Sequence, residues 1–137
     1  PALVIVDYLQ LLYGNRAENR AQEVSRFARE LKVLALDLNI PVIALSQLRR
    51  PATTESRLHP KLEDLKESGG IEQNADIVVL LYRPEVDKPT DENRGKAIVH
   101  VAKHRNGPTG KFSMFWAGES TSFLNADADE AYNKEAQ

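Results

Sequence analysis

No cysteine occurs among the 137 residues, which excludes disulfides and thiolate metal sites and fits a reducing compartment. The three histidines, His59, His100 and His104, show no metal-ligand pairing. Long hydrophobic runs are also lacking. The opening Pro1-Ala2-Leu3-Val4-Ile5-Val6 has no basic leader and breaks at Asp7, so neither a signal peptide nor a membrane span is expected, and the cytoplasm is the expected location. Charge of neither sign dominates: 18 basic residues face 20 acidic ones, for a net charge of -2. Global electrostatics therefore gives no sign of a nucleic-acid partner. Internal repeats and low-complexity tracts are absent as well.

A further absence concerns chemistry. The phosphate-binding pattern G-x-x-x-x-G-K-[ST] does not occur. Its nearest imitation, Gly107-Pro108-Thr109-Gly110-Lys111-Phe112, has two residues between its glycines instead of four, and Phe112 offers Mg²⁺ no hydroxyl. It also precedes a strand pattern, where a phosphate loop precedes a helix.

What is present is the balance of a folded domain, with 42% hydrophobic and 28% charged residues. Leu3-Val4-Ile5-Val6 reads as a strand covered on both faces in a parallel sheet, with Asp7 at its carboxyl end. Val24, Phe27, Ala28, Leu31, Leu34, Ala35 and Leu38 recur at three and four and predict a long helix with one apolar face. Asn39-Ile40-Pro41 stops it, because proline disfavours helical geometry at Ile40. Val42-Ile43-Ala44-Leu45 then predicts a second buried strand, ending in Ser46-Gln47. Strand, helix, strand implies a right-handed parallel crossover.

Residues 49 to 60 read as a loop, Leu62 to Lys66 as at most a short helix, and Ile77 to Tyr82 as a third buried strand. Pro84 to Gly95 is charged and aperiodic, and reads as an exposed excursion without function. Ala97 to Ala102 and Phe112 to Trp116 flank a glycine- and proline-containing connection and predict a hairpin. The fold class is α/β: three parallel strands with a crossover helix and a C-terminal β-hairpin. Residues 1–124 form the domain, and 125–137 an acidic, frayed tail.

Ligands of open parallel sheets collect beyond the carboxyl ends of the strands, where this sequence sets Asp7 and Gln47. An aspartate after a hydrophobic strand is the Walker-B arrangement, in which the carboxylate holds Mg²⁺ beside nucleotide phosphates. The same aspartate could equally cap a turn. Lys103 and Arg105, two apart near the hairpin tip, could act together on a phosphate. They could also be the cations that keep an edge strand from unwanted pairing. Arg49, Arg50, Arg57, Lys61 and Lys66 fall between the second and third strands. Most such runs are solvated surface, yet Gly69 and Gly70 allow a close approach of backbone to a nucleic-acid phosphate. No aromatic stacking platform accompanies them.

Four segments together resemble the DnaB-like hexameric replicative helicases, in order and spacing. They are Leu3-Val4-Ile5-Val6-Asp7-Tyr8-Leu9-Gln10-Leu11, Ala44-Leu45-Ser46-Gln47-Leu48, Asp64-Leu65-Lys66-Glu67-Ser68-Gly69-Gly70-Ile71-Glu72-Gln73 and Lys103-His104-Arg105-Asn106-Gly107-Pro108-Thr109-Gly110. The resemblance covers residues 3 to 124. It implies part of a RecA-like core in a ring of six, driven by ATP and Mg²⁺, that encircles single-stranded DNA and unwinds duplex 5′ to 3′ at the replication fork. Primase and a helicase loader are the partners it implies.

By the same resemblance Asp7 acts on Mg²⁺ through water, and Gln47 senses the γ-phosphate and relays its state towards the DNA loop. Lys66, Glu67 and Gly69 match the loop that follows the DNA backbone. Lys103 and Arg105 match the cation pair that reaches a neighbouring subunit's nucleotide. Three positions depart from the family pattern: Lys66 replaces a common arginine, His104 a glutamine and Asn74 an aspartate. The family's phosphate loop, catalytic glutamate and primase-interaction domain lie upstream of the match to Pro1. The isolated chain is therefore expected not to hydrolyse ATP, and its strand edges are expected to associate. Two other readings compete: a non-catalytic module that docks on ring subunits or DNA, and another RecA-fold ATPase such as a recombinase. Glu67-Ser68-Gly69 and Arg105-Asn106-Gly107-Pro108 argue against the recombinase.

Overall fold

The computed structural model describes residues 2–12, 20–48, 60–65 and 69–126. The expectations for Lys66, Glu67, the loop at 49–59 and residues 127–137 of the acidic tail fall outside the described residues, while Asn125, expected to begin that tail, ends a strand. The chain forms two compact units, Pro1–Arg50 with Lys61–Val78, and Pro51–Pro60 with Val79–Gln137.

In the first unit, β1 (Val4–Val6) and β2 (Val42–Ala44) pair in parallel, with Val4 opposite Val42 and Val6 opposite Ala44. The helix α1 (Arg20–Leu38) connects them. Its end follows from Asn39-Ile40-Pro41. Asn39 adopts a left-handed φ of 51°, its N–H donates to the Leu36 carbonyl at 3.2 Å, and the Ile40 N–H donates back to Ala35 at 3.2 Å. This crossed pair satisfies carbonyls that the last helical turn leaves open, and asparagine tolerates the left-handed geometry that it needs.

Val24 is the centre of the helix's packed face and is fully buried. The expected apolar stripe is covered along only part of its length, since Leu34 and Leu38 are exposed. A second helix, α2 (Gly69–Asn74), packs on α1, and an ion pair joins Lys32 of α1 to Asp76 after α2. The strand pair, expected to be covered on both faces, has an uncovered one: Leu3, Ile5, Ile43 and Leu45 alternate onto one side of it and are all exposed.

The other sheet has four strands in sequential order: β3 (Ile77–Tyr82), β4 (Lys96–His104), β5 (Gly110–Ala117) and β6 (Ser122–Asn125). The hairpin of β4 and β5 forms as expected, antiparallel, with Ala97 opposite Met114 and Val99 opposite Phe112. Two expectations need correcting. The third apolar run joins the hairpin's sheet, so the parallel pairing is between β1 and β2. That run is also covered on alternate residues: Val78 and Leu80 are buried while Ile77, Val79 and Leu81 stand about half exposed. A continuous apolar run permits two-sided burial but does not create the layer that would cover the second face.

β6 follows a tight turn at Gly118 to Thr121, where Thr121 takes a positive φ of 51°. Leu80, Ala97, Val99, Phe115 and Ala117 form the core of the second unit. The excursion is tied down rather than loose. It contains the short helix α3 (Pro84–Asp87) and a 3₁₀ turn at Asp91–Asn93. Glu85 Oε2 accepts the Gly95 N–H at 3.1 Å, and the Arg83 guanidinium lies 4.6 Å from the Trp116 ring centre.

Candidate functional site at the ends of the parallel strands

Asp7 follows β1 directly, and Gln47 lies three residues past β2, so both stand beyond the carboxyl ends of two paired parallel strands. Both are exposed. The chain around them is fixed by hydrogen bonds that continue past the ladder. The Leu45 N–H donates to Val6 O at 2.9 Å, and the Leu9 N–H donates to Leu45 O at 2.9 Å. The Leu9 side chain is 2% exposed and anchors the 3₁₀ turn Leu9–Leu11 that follows Asp7. Between these anchors the Asp7–Tyr8 peptide bond is cis. The alternative of Asp7 as a turn cap and the reading of it as a metal-facing acid both call for a strand-end carboxylate. Its exposure leaves the carboxylate accessible to a ligand from solvent.

Gln10, within that turn, makes contacts that sequence reasoning missed. Its Nε2 donates to Ser46 Oγ at 3.0 Å, and its Oε1 accepts the Gln47 N–H at 3.2 Å. One side-chain amide thus spans from the segment after β1 to the segment after β2. The only hint in the sequence is a single polar residue inside Leu9-Gln10-Leu11-Leu12. One residue beyond Gln47, Leu48 forms an isolated antiparallel bridge with Leu65. Leu65 is buried and immediately precedes Lys66.

Among the described residues no group of three or more His, Cys, Asp or Glu could hold a metal ion. A lone exposed carboxylate nevertheless fits Mg²⁺, which keeps most of its waters and takes one or two carboxylates together with substrate phosphates. Asp7 is the residue here that would face it.

The two glycines of the candidate DNA loop separate into different roles. Gly69 is exposed, and a Cβ built on it would meet no described atom within 4 Å. Gly70 is buried, and its Cβ would collide with Ser25 of α1. Gly70 therefore lets two helices approach, while Gly69 leaves its backbone open to a ligand. Asn74, at the end of α2, donates from Nδ2 to Gly70 O at 2.7 Å. An ionised aspartate has no donor to offer there, so asparagine at this position supplies a helix-closing bond that aspartate could not.

In the second unit, Lys103 lies on β4 and Arg105 is the first residue past the strand, exposed in the turn to β5. Strand alternation therefore aims Lys103 but no longer fixes Arg105. The turn itself is held compact: His104 Nδ1 lies 3.3 Å from Pro108 O, and Gly107 sits so close to the His104 ring that a Cβ would come within 2.3 Å of it. The segment 107–112 runs into β5, so no helix follows its glycines. No helix among the described residues is long and apolar enough to cross a membrane.

Comparison with known proteins bears on the same segments. The DnaB-like helicase C terminal domain family matches residues 2–125. The replicative DNA helicase DnaB of Leifsonia xyli is 50% identical over 124 residues, 90% of this chain and 27% of that protein. The DnaB of Geobacillus stearothermophilus is 44% identical over 133 residues, 94% of this chain and 29% of that protein. Among solved structures, a DnaB-like replicative helicase described with its interactions with primase superimposes with a TM-score of 0.79 at 42% identity, over 90% of this chain and 30% of its own. An ATPase domain superimposes with a TM-score of 0.78 at 41% identity, over 90% of this chain and 44% of its own. The chain thus spans less than a third of the length of these two curated relatives.

Proposed function

The chain belongs to the family of DnaB-like helicase C terminal domains, and on that premise we propose that it is the part of an ATP-driven replicative helicase motor that reads nucleotide state and passes it to DNA. The observation that carries this reading is the placement of Asp7 and Gln47 beyond the ends of two paired parallel strands, with Gln47 adjacent to the Leu48–Leu65 bridge. The intact protein works as a homo-hexamer around single-stranded DNA and unwinds duplex 5′ to 3′, with primase and a helicase loader as partners in the cytoplasm. The uncovered apolar face of Leu3, Ile5, Ile43 and Leu45 supports a chain that functions inside a larger body.

Each residue then has a physical task. Asp7 would hold, through water, an Mg²⁺ that would neutralise phosphate charge. The Gln47 amide meets the γ-phosphate, and its loss on hydrolysis changes where Gln47 rests. Leu48 and Leu65 are paired, so a shift at Gln47 reaches Lys66, Glu67 and Gly69 through one bridge. Lys66 and the open backbone at Gly69 grip the DNA phosphates, and Glu67 belongs to the same loop. Lys103, near the end of β4, and Arg105, in the hairpin turn, serve a neighbouring subunit's nucleotide, where Arg105 stabilises charge developing on the transferred phosphoryl group.

The direct test is the intact mass of the native protein from its cells, with peptide mapping upstream of Pro1. A product of several hundred residues containing G-x-x-x-x-G-K-[ST] is expected. A native product no longer than this chain would contradict the motor reading and favour a non-catalytic docking module.

A further inference from the structure

The geometry points to Gln10 as a positioning residue that sets where Gln47 meets the nucleotide, an inference that rests on the reading of Gln47 given above. β2 ends at Ala44, so Gln47 lies beyond the ladder that would otherwise fix its backbone. Its N–H donates to the Gln10 side-chain oxygen Oε1, and the hydroxyl of the preceding residue, Ser46, accepts from the same amide's Nε2. The residue on its other side, Leu48, is tied to Leu65. Gln47 is therefore held from both flanks.

Gln10 is suited to this by its chemistry. An amide carries a donor and an acceptor a fixed distance apart, so one side chain can grip a hydroxyl and a backbone N–H at once. It is also placed by the same anchor that places the strand-end acid. Gln10 stands three residues after Asp7, in a turn secured by buried Leu9 and by the Leu9 N–H to Leu45 O bond. Asp7 and Gln47 consequently share one frame, in which Gln10 is the side-chain link. Neutral hydrogen bonds at a partly exposed site are weak enough to break and reform within a turnover, as a residue that answers to the γ-phosphate requires.

The experiment compares Gln10→Met, Gln10→Glu and Gln47→Ala in the full-length protein, by steady-state ATP hydrolysis with saturating single-stranded DNA. Gln10→Met keeps chain length and removes both bonds. Gln10→Glu keeps an acceptor for the Gln47 N–H, and the Ser46 hydroxyl can reverse and donate to the carboxylate. The expected result is a fall of about tenfold in DNA-stimulated kcat for Gln10→Met with KM for ATP within about twofold, and recovery by Gln10→Glu to within about threefold of wild type. Backbone amide exchange at Gln47, by peptide mass spectrometry on the same samples, should rise in Gln10→Met and not in Gln10→Glu, with exchange across β1 unchanged.

Wild-type kcat and unchanged Gln47 exchange in Gln10→Met, alongside an inactive Gln47→Ala, would overturn the positioning role and leave the proposed function standing. Equal losses in kcat and ATP binding, with exchange raised across β1, would make Gln10 merely structural and likewise overturn it. A fully active Gln47→Ala would overturn the sensing role of Gln47 itself, and the inference with it.

Discussion

Gly70 of α2 and Ser25 of α1 meet so closely that a Cβ on Gly70 would stand 2.1 Å from the serine hydroxyl oxygen and 2.4 Å from its backbone Cα. Because one of the colliding atoms is backbone, a rotamer change cannot make room. Gly70→Ala should destabilise the chain by about 1–3 kcal/mol, the usual cost of overpacking. Adding Ser25→Gly should recover only part of the loss, since the clash with the backbone of residue 25 survives. Thermal unfolding of the two variants checks this; a Gly70→Ala protein as stable as wild type would show that the close approach of the two helices does not depend on this glycine.

Gly69 is the contrasting case. With open space around it, Gly69→Ala should change stability by no more than about 0.5 kcal/mol. In the full-length protein the same substitution should weaken single-stranded DNA binding, because the added methyl obstructs approach of a phosphate to the backbone. Weakened stability with unchanged DNA affinity would reverse the assignment.

Lys66→Ala should lower DNA affinity and flatten its dependence on salt. One phosphate contact on a single strand contributes about 0.7 to the slope of log affinity against log salt concentration. A titration across several salt concentrations measures it, and an unchanged slope would take Lys66 off the DNA-binding surface.

Arg105→Ala in the full-length protein should abolish DNA-stimulated hydrolysis, by about 10³-fold or more if it acts as an arginine finger, while nucleotide binding stays nearly intact. An equal loss of binding would place Arg105 in a structural role or in its own subunit's site.

Burial pushes the Tyr82 hydroxyl above the usual tyrosine range. The unfolded chain ionises this group more readily than the folded one, so its contribution to stability is complete below about pH 10. It is lost as pH rises through the higher folded value. Tyr82→Phe should therefore flatten the alkaline limb of a stability profile, and an unchanged limb would remove Tyr82 as its source.

What could be read from the sequence was what local chemistry decides. The end of α1 followed from Asn39-Ile40-Pro41, and the structure shows the left-handed asparagine and crossed hydrogen bonds that such a sequence produces. The β1–β2 pairing and the hairpin likewise came from short apolar runs and their turns. Side-chain contacts between distant segments, and the layers that cover a sheet, were not legible. Ile77 to Tyr82 has the composition of a strand buried on both faces, but composition cannot say which sheet it joins or whether a layer covers Val79 and Leu81. Adjacent Gly69 and Gly70 look alike in sequence and differ because α1 passes one and not the other. Gln10 was hidden for the same reason, since its partners lie 36 and 37 residues away. At the candidate site, Asp7 and Gln47 were visible as polar residues ending apolar runs, whereas the frame that holds them was not.

The most direct test of the motor reading is strand displacement by the full-length protein on a forked duplex, with ATP and Mg²⁺, comparing wild type with Asp7→Ala and Gln47→Ala. Unwinding that requires a 5′ single-stranded tail and vanishes in both variants is the result expected of the proposed function. DNA binding without hydrolysis or unwinding by the wild-type protein would contradict it, leaving this segment as a docking module with a helicase fold.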